Sequence, residues 1–207
     1  MTVSKELTKV AEKKLAKRKK IYEAAYELFT NKGVNQTSID DIAKKAGVGK
    51  GTFYLYFEDK YDIMDRIVLR KSSILLKEAI DRIEADLNGK TITFEDKIIL
   101  FTDYVIEYLK ENKKLLKLIN KNLSWGIFRK ALRDPKNHGE VERIKKFFSD
   151  NNRILRIDID LDMEEKVIFM LIELISSVCY SSIILEEPDN IDNMKPILFI
   201  MIKKMLT

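Results

Sequence analysis

The sequence predicts an all-α fold, on three observations. Proline and glycine are scarce, three and seven in 207 residues, so long runs carry no strong chain breaker. Apolar residues within those runs recur at helical spacing. The apolar share, 45%, is ordinary for a globular chain with a true core.

The elements follow in order. Residues 1–10 read as a frayed arm ahead of a first helix from about Ala11 to Asn31. Leu15, Ile21, Ala25, Leu28 and Phe29 keep helical spacing there, and Gly33 is a stop signal. Ser38, with Asp41 three residues on, resembles a capping box in which Asp replaces Glu, so a second helix starts there. It runs through Ile42, Ala43 and Ala46 to Gly47, which allows a tight break. A short third helix is expected from about Lys50 to Phe57. Glu58-Asp59-Lys60 opens a long fourth helix reaching towards Leu87, and Asn88-Gly89-Lys90 is the clearest turn. The working domain boundary lies at the start of that fourth helix, dividing the chain into 1–60 and 61–207. Beyond it, Phe94–Asn112 carries one stripe of Phe94, Ile98, Phe101, Val105 and Tyr108. Further helices are expected at 113–121, 124–133, 140–152, 163–186 and 190–205, the last two separated by Glu187-Pro188.

Composition limits the function classes. With Cys179 as the only cysteine, no internal disulfide forms, and a reducing cytoplasm is the expected location. The first twenty residues are lysine-rich without an apolar core, so no signal peptide is visible. One cysteine and one histidine, His138, exclude a His/Cys zinc cluster. No phosphate-binding glycine loop is present either, so neither an enzyme nor a cofactor or metal site is expected. Residues 1–60 hold 13 Lys and Arg against 8 Asp and Glu, an excess equal to the net +5 of the whole chain. Such an excess at one end reads either as the footprint of a polyanion site or as a solubilising lysine-rich tail.

Two short helices joined by a glycine turn are the geometric minimum of a helix-turn-helix. The first crosses the DNA backbone and the second enters the major groove. Here the second mixes a cation, hydroxyls and phenols with Phe53 and Phe57, four apart. That spacing anchors one face and leaves Lys50, Thr52, Tyr54 and Tyr56 variously outward. Gly51 lets the helix start approach phosphates closely, since no side chain intervenes.

From Arg18 to Met64 the chain resembles the DNA-binding domain of the TetR family. The matching stretches are Ile21–Phe29, Gly33-Val34, Thr37–Ala43, Ala46–Phe57 and Lys60. By position, the resemblance implies that Thr37 and Ser38 contact phosphate, as do Tyr54 and Lys60. Lys50, Gly51 and Thr52 fall at the start of the recognition helix, with Lys50 the base-edge candidate, to guanine. Tyr56 falls where a side chain can face the groove. Two departures stand out. Gly49 replaces a frequent capping Ser at a small cost in stability. Asp40 replaces a basic residue; a carboxylate there either accepts from cytosine N4 or faces away from DNA, and the second is the reading adopted. Lys13, Lys14, Lys17, Arg18, Lys19 and Lys20 either track adjacent DNA or form a solvated face.

The rest of the chain resembles that family's helical effector-binding and dimerisation domain. Val167–Leu185 carries only one charged residue, Glu173, and is apolar on nearly every face. Such a helix must be surrounded, by core on one side and something else on the other. A membrane span is the rival reading; Glu173 and the serines at 176, 177, 181 and 182 argue against it. Ile191, Met194, Ile197, Leu198, Met201 and Met205 supply a second apolar surface. Two such helices per subunit would make an isologous four-helix homodimer interface. Effector-pocket candidates are Tyr104, Tyr108, Trp125, Phe128, Met170 and Glu173. Core packing is the competing explanation for each aromatic. A buried Glu173 would need a partner, either an internal Arg or Tyr or a cationic ligand. The implied function is a homodimeric DNA-binding repressor, with double-stranded DNA as partner and no membrane. A small-molecule effector would release it from a palindromic operator. The alternative is a protein of the same fold controlled by a protein partner, or acting as a structural DNA-bound factor.

Overall fold

The computed structural model describes the backbone of residues 2–122 and 161–206. The helices expected at 124–133 and 140–152, together with Trp125, Phe128 and His138, lie outside the described residues. The described residues are helical, with no strand among them. They form two compact units, Met1–Val68 and Leu69–Thr207.

The first unit holds α1 (Thr2–Lys32), α2 (Ile39–Ala46), α3 (Lys50–Tyr54) and the start of α4 (Lys60–Leu87). α1 begins at Thr2, not near Ala11: the expected frayed arm is helical. Met1–Lys32 contains no proline or glycine and is rich in Lys, Glu, Ala and Leu, all good helix formers. From Ala11 onward, the first buried side chain is Ile21. Ala11–Lys20 are exposed throughout, and Leu15, expected on the apolar stripe, is 66% exposed.

From Ile21 onward the core of this unit closes. Ile21, Ala24, Ala25 and Phe29 of α1 are buried, as are Ile42, Ala43 and Ala46 of α2, Phe53 of α3, and Ile63, Met64 and Ile67 of α4. Tyr22 Oη donates to the Ile67 carbonyl at 3.4 Å, and burial pushes the Tyr26 phenol up. Gly33, at φ +85, ends α1 with its N–H on the Phe29 carbonyl. That left-handed conformation costs glycine nothing sterically.

The second unit contains the rest of α4, then α5 (Phe94–Glu111), α6 (Lys113–Asn122), α7 (Leu161–Tyr180) and α8 (Ile191–Leu206). Thr93 caps α5 by accepting from the Asp96 N–H at 3.1 Å. The fully buried line of α5 is Thr102, Ile106 and Leu109. The expected stripe of Phe94, Ile98, Val105 and Tyr108 is only partly buried and packs around the same core. That core joins Leu75, Ile106, Leu116, Leu171, Cys179, Ile183, Leu198 and Ile202. Ile80 and Ile83 of α4 form a smaller cluster with Leu87 and Phe101.

The expected helix over 163–186 is α7 followed by a π-helical turn, Ser181–Leu185, which ends at Glu186 in the left-handed region (φ +59). By length and composition Lys166–Leu185 is apolar enough to cross a membrane. In this structure it contributes Leu171, Cys179 and Ile183 to the core. Burial in apolar surroundings pushes the Cys179 thiol up to about 12.

Along one flank α8 is pinned to α5 by ions. Lys195 pairs with Asp103 and, at 2.7 Å, with Glu107; Lys110 meets Asp192 at 2.7 Å; Lys203 meets Asp96 at 2.8 Å. Burial disfavours the Lys195 charge, but the two carboxylates outweigh it and hold its pKa above the usual value.

Candidate nucleic-acid interface

The site is built on α2. Ser38 caps it reciprocally: Ser38 Oγ accepts from the Asp41 N–H at 3.1 Å, and Asp41 Oδ2 accepts from the Ser38 N–H at 3.0 Å. Both halves of the expected capping box are therefore present. The Ser38 backbone N–H, the Lys32 ammonium and the Ser38 hydroxyl hold the Asp41 carboxyl well below the usual carboxylate range. Lys32–Asp41 at 2.9 Å and Lys45–Glu27 at 2.6 Å tie α2 to α1. At the far end Gly47, φ +66, bonds the Lys44 carbonyl, and Val48 N–H bonds that of Ala43. This paired closure needs a left-handed residue, which glycine supplies without strain.

α3 follows after three residues, Gly47, Val48 and Gly49. It is shorter than expected, ending at Tyr54 instead of Phe57, though Tyr56 and Phe57 N–H groups still turn back onto the Phe53 carbonyl. Gly49 stands at its N-cap without a side-chain bond. Phe53 is fully buried and lies 5.6 Å, centroid to centroid, from Phe57. Arg66 stacks over Phe57 at 5.5 Å and pairs with Asp62 at 2.7 Å. One face of α3 is thereby anchored, and the other carries Lys50, Gly51 and Tyr54 exposed, with Thr52 and Tyr56 half-buried.

Three side chains have partners within the chain that the sequence does not signal. Lys60 is a phosphate candidate by position. Its ammonium donates to the carbonyls of Val34, Asn35 and Thr37 at 3.0, 3.2 and 3.1 Å, which accounts for all three protons. It fastens the loop between α1 and α2. Thr37, also assigned to phosphate, is 1% exposed, and its hydroxyl donates to the Gly33 carbonyl at 2.8 Å. Asp40 lies beside Lys50, whose Nζ donates to Asp40 Oδ2 at 3.1 Å. That hydrogen bond and charge raise the Lys50 pKa. The pair joins residues ten apart on two different helices, so the pattern of neither helix signals it. Ser38 is exposed, but its hydroxyl is engaged in the cap.

Four of the pocket candidates lie among the described residues of the second unit. Tyr104 and Tyr108 pack partly buried around the core. Met170 is 48% exposed, and Glu173 is exposed, so it is not the buried carboxylate the sequence suggested. Glu173 lines a small recess with Ile119, Asn120, Ile172, Ser176 and Ser177.

A capped helix, a glycine turn and a short second helix with one anchored and one polar face define a helix-turn-helix regulator fold. Residues 21–67 match the bacterial regulatory proteins of the tetR family, and the N-terminal unit is a domain of that family. The chain is 42% identical over 73 residues to the HTH-type transcriptional regulator YvdT of Bacillus subtilis (strain 168), covering 35% of this chain and 36% of that one. An HTH-type transcriptional regulator of Staphylococcus aureus (strain USA300) is 31% identical over 102 residues, covering 49% and 52%. The chain thus spans about a third to a half of the length of these relatives. Thermus thermophilus FadR, a TetR-family transcriptional repressor solved in complex with lauroyl-CoA, shares the fold. Its TM-score is 0.61 at 21% identity, covering 92% of this chain and 95% of that one.

Proposed function

We propose that the protein is a homodimeric, cytoplasmic transcriptional regulator. In this reading it is a repressor that binds a palindromic operator in double-stranded DNA and is released by a small-molecule effector. The observation that carries this is the exposed polar face of α3, held on a doubly capped α2 by the fully buried Phe53. Lys50 supplies the base contact, while Ser38, Gly51, Thr52, Tyr54 and Tyr56 lie where backbone or groove contacts would fall. The exposed lysines of Ala11–Lys20 add cations on the same unit.

Dimerisation is supported by apolar exposure on α8, where Ile197 is 54% and Ile200 is 52% exposed, and Met201 and Met205 are exposed too. Phe169 and Met170 of α7 add to it. Covering these against a second copy removes apolar surface from water and supplies the symmetry that a palindrome requires.

For the effector, the lauroyl-CoA of the Thermus protein makes long-chain acyl-CoA the first ligand to test. α4 is one helical element whose start belongs to the DNA-binding unit and whose remainder belongs to the second. A ligand that prefers one setting of this helix shifts the population of DNA-competent dimers.

The deciding experiment is a salt series on duplex fragments from the gene's own promoter region. Affinity should fall linearly on a log–log plot with salt, and acyl-CoA should release the complex. Absence of salt-sensitive binding overturns the regulator reading. Retained salt sensitivity without acyl-CoA release overturns only the choice of effector.

A further inference from the structure

The Asp40–Lys50 pair is more than a surface ion pair by its position. Asp40 stands in the first turn of α2 and Lys50 is the first residue of α3, so the carboxylate joins the two halves of the helix-turn-helix on its polar side. Both side chains are more than half exposed. On the DNA-binding reading above, we propose that Asp40 and Lys50 act as one unit, an adjacent acceptor and donor that reads a G·C base pair in the major groove.

The argument is one of matched spacing. In a G·C pair the major-groove edge presents the guanine O6 acceptor beside the cytosine N4 donor. Those two atoms are themselves hydrogen-bonded, so they lie about 2.9 Å apart. Lys50 Nζ and Asp40 Oδ2 lie 3.1 Å apart. An ammonium has three donors and a carboxylate about four acceptor sites. The pair therefore docks intact: one ammonium proton stays on Asp40, another reaches O6, and the carboxylate accepts from N4. A third proton is left for guanine N7.

Orientation and base identity follow. Reversed to C·G, the ammonium meets the N4 donor and the carboxylate meets O6, two mismatches at once. T·A in the favoured orientation keeps thymine O4 and adenine N6, but the ammonium finds the thymine methyl where N7 would be. The order of preference is G·C, then T·A, then C·G. A carboxylate at this surface also repels phosphate, so away from a G·C pair it weakens sequence-independent binding.

The test is selection from a duplex library with a randomised core, using the full-length protein. Dissociation constants are then measured for the selected site and its single-base substitutions. Wild type should select a G·C pair in each half-site and prefer it over C·G by roughly 10- to 100-fold. Asp40→Ala and Lys50→Ala should each flatten preference at that same pair, and the double variant should lose little more than either. Asp40→Ala should also tighten binding to unrelated duplex. Circular dichroism melting checks that the variants fold. If Asp40→Ala tightens binding to all duplexes alike with preference intact, or if the two substitutions act at different base pairs, the unit is overturned. If wild type binds no duplex, the DNA-binding reading fails first and takes this one with it. Salt-sensitive binding with no G·C preference overturns the pair alone.

Discussion

The ammonium of Lys32 donates to Asp41 Oδ2 at 2.9 Å, joining the last residue of α1 to the capping box of α2. Asp41 thus serves two helices, accepting from the Ser38 backbone and from the lysine.

Ser38→Ala should therefore cost about 1 kcal/mol, seen as a lower midpoint in urea unfolding, because the Asp41 N–H loses its partner. An unchanged midpoint would show that the cap is not holding α2.

The pH response follows from the direction of the Asp41 shift. Its folded pKa is depressed, so its contribution is complete above the ordinary Asp value of 3.8 and is lost as pH falls below it. Asp96, Glu107 and Asp192 are depressed likewise, chiefly by hydrogen bonds from Lys203, Lys195 and Lys110. Stability should hold from neutrality to about pH 5 and decline below about pH 4. Asp41→Asn should remove part of that acid dependence; a thermal-unfolding pH series that it leaves unaltered would contradict the assignment.

Lys60→Met should destabilise the N-terminal unit by roughly 1–2 kcal/mol, since three carbonyls of the 34–37 loop lose a charged donor. The effect should be present without DNA. A variant with normal thermal unfolding but weakened DNA binding would restore Lys60 to phosphate contact.

Phe53→Ala should cost about 3–5 kcal/mol, because a fully buried ring between α3 and its neighbours leaves a cavity. Tryptic cleavage within residues 44–60 should accelerate. Cleavage at the wild-type rate would mean that α3 is held by something else.

If the proposed dimer forms through α8, Ile200→Asp should yield a monomer in sedimentation and abolish tight operator binding, while leaving helical content unchanged. Ile200 is exposed in the single chain, so its substitution disturbs no packing there. A dimer that persists would exclude this face of α8 from the interface.

Much of this architecture was legible from residues alone. Ser38 and Asp41 announced the start of α2, Gly47 its end, and Asn88-Gly89 the turn after α4, because caps and left-handed turns depend on local chemistry. Partnerships across sequence were not. Lys60 binds carbonyls 23 to 26 residues earlier, and Asp40 meets Lys50 only because α2 and α3 fold against each other. Periodicity also overstated burial: Leu15 keeps the helical phase, but α1 has left the core by then. Glu173 misled for a related reason, since an apolar helix reads as buried all round even when one strip of it faces out.

Cys179 has a practical consequence. Sealed in the core, with its thiol pushed up to about 12, it is inert to maleimides and methanethiosulfonates in the folded protein. A cysteine introduced at exposed Tyr54 would then take a spin label alone, without removing the natural one. In the proposed dimer, distances between the labels, read by pulsed electron resonance with and without ligand, would give the separation of the two α3 helices directly in solution.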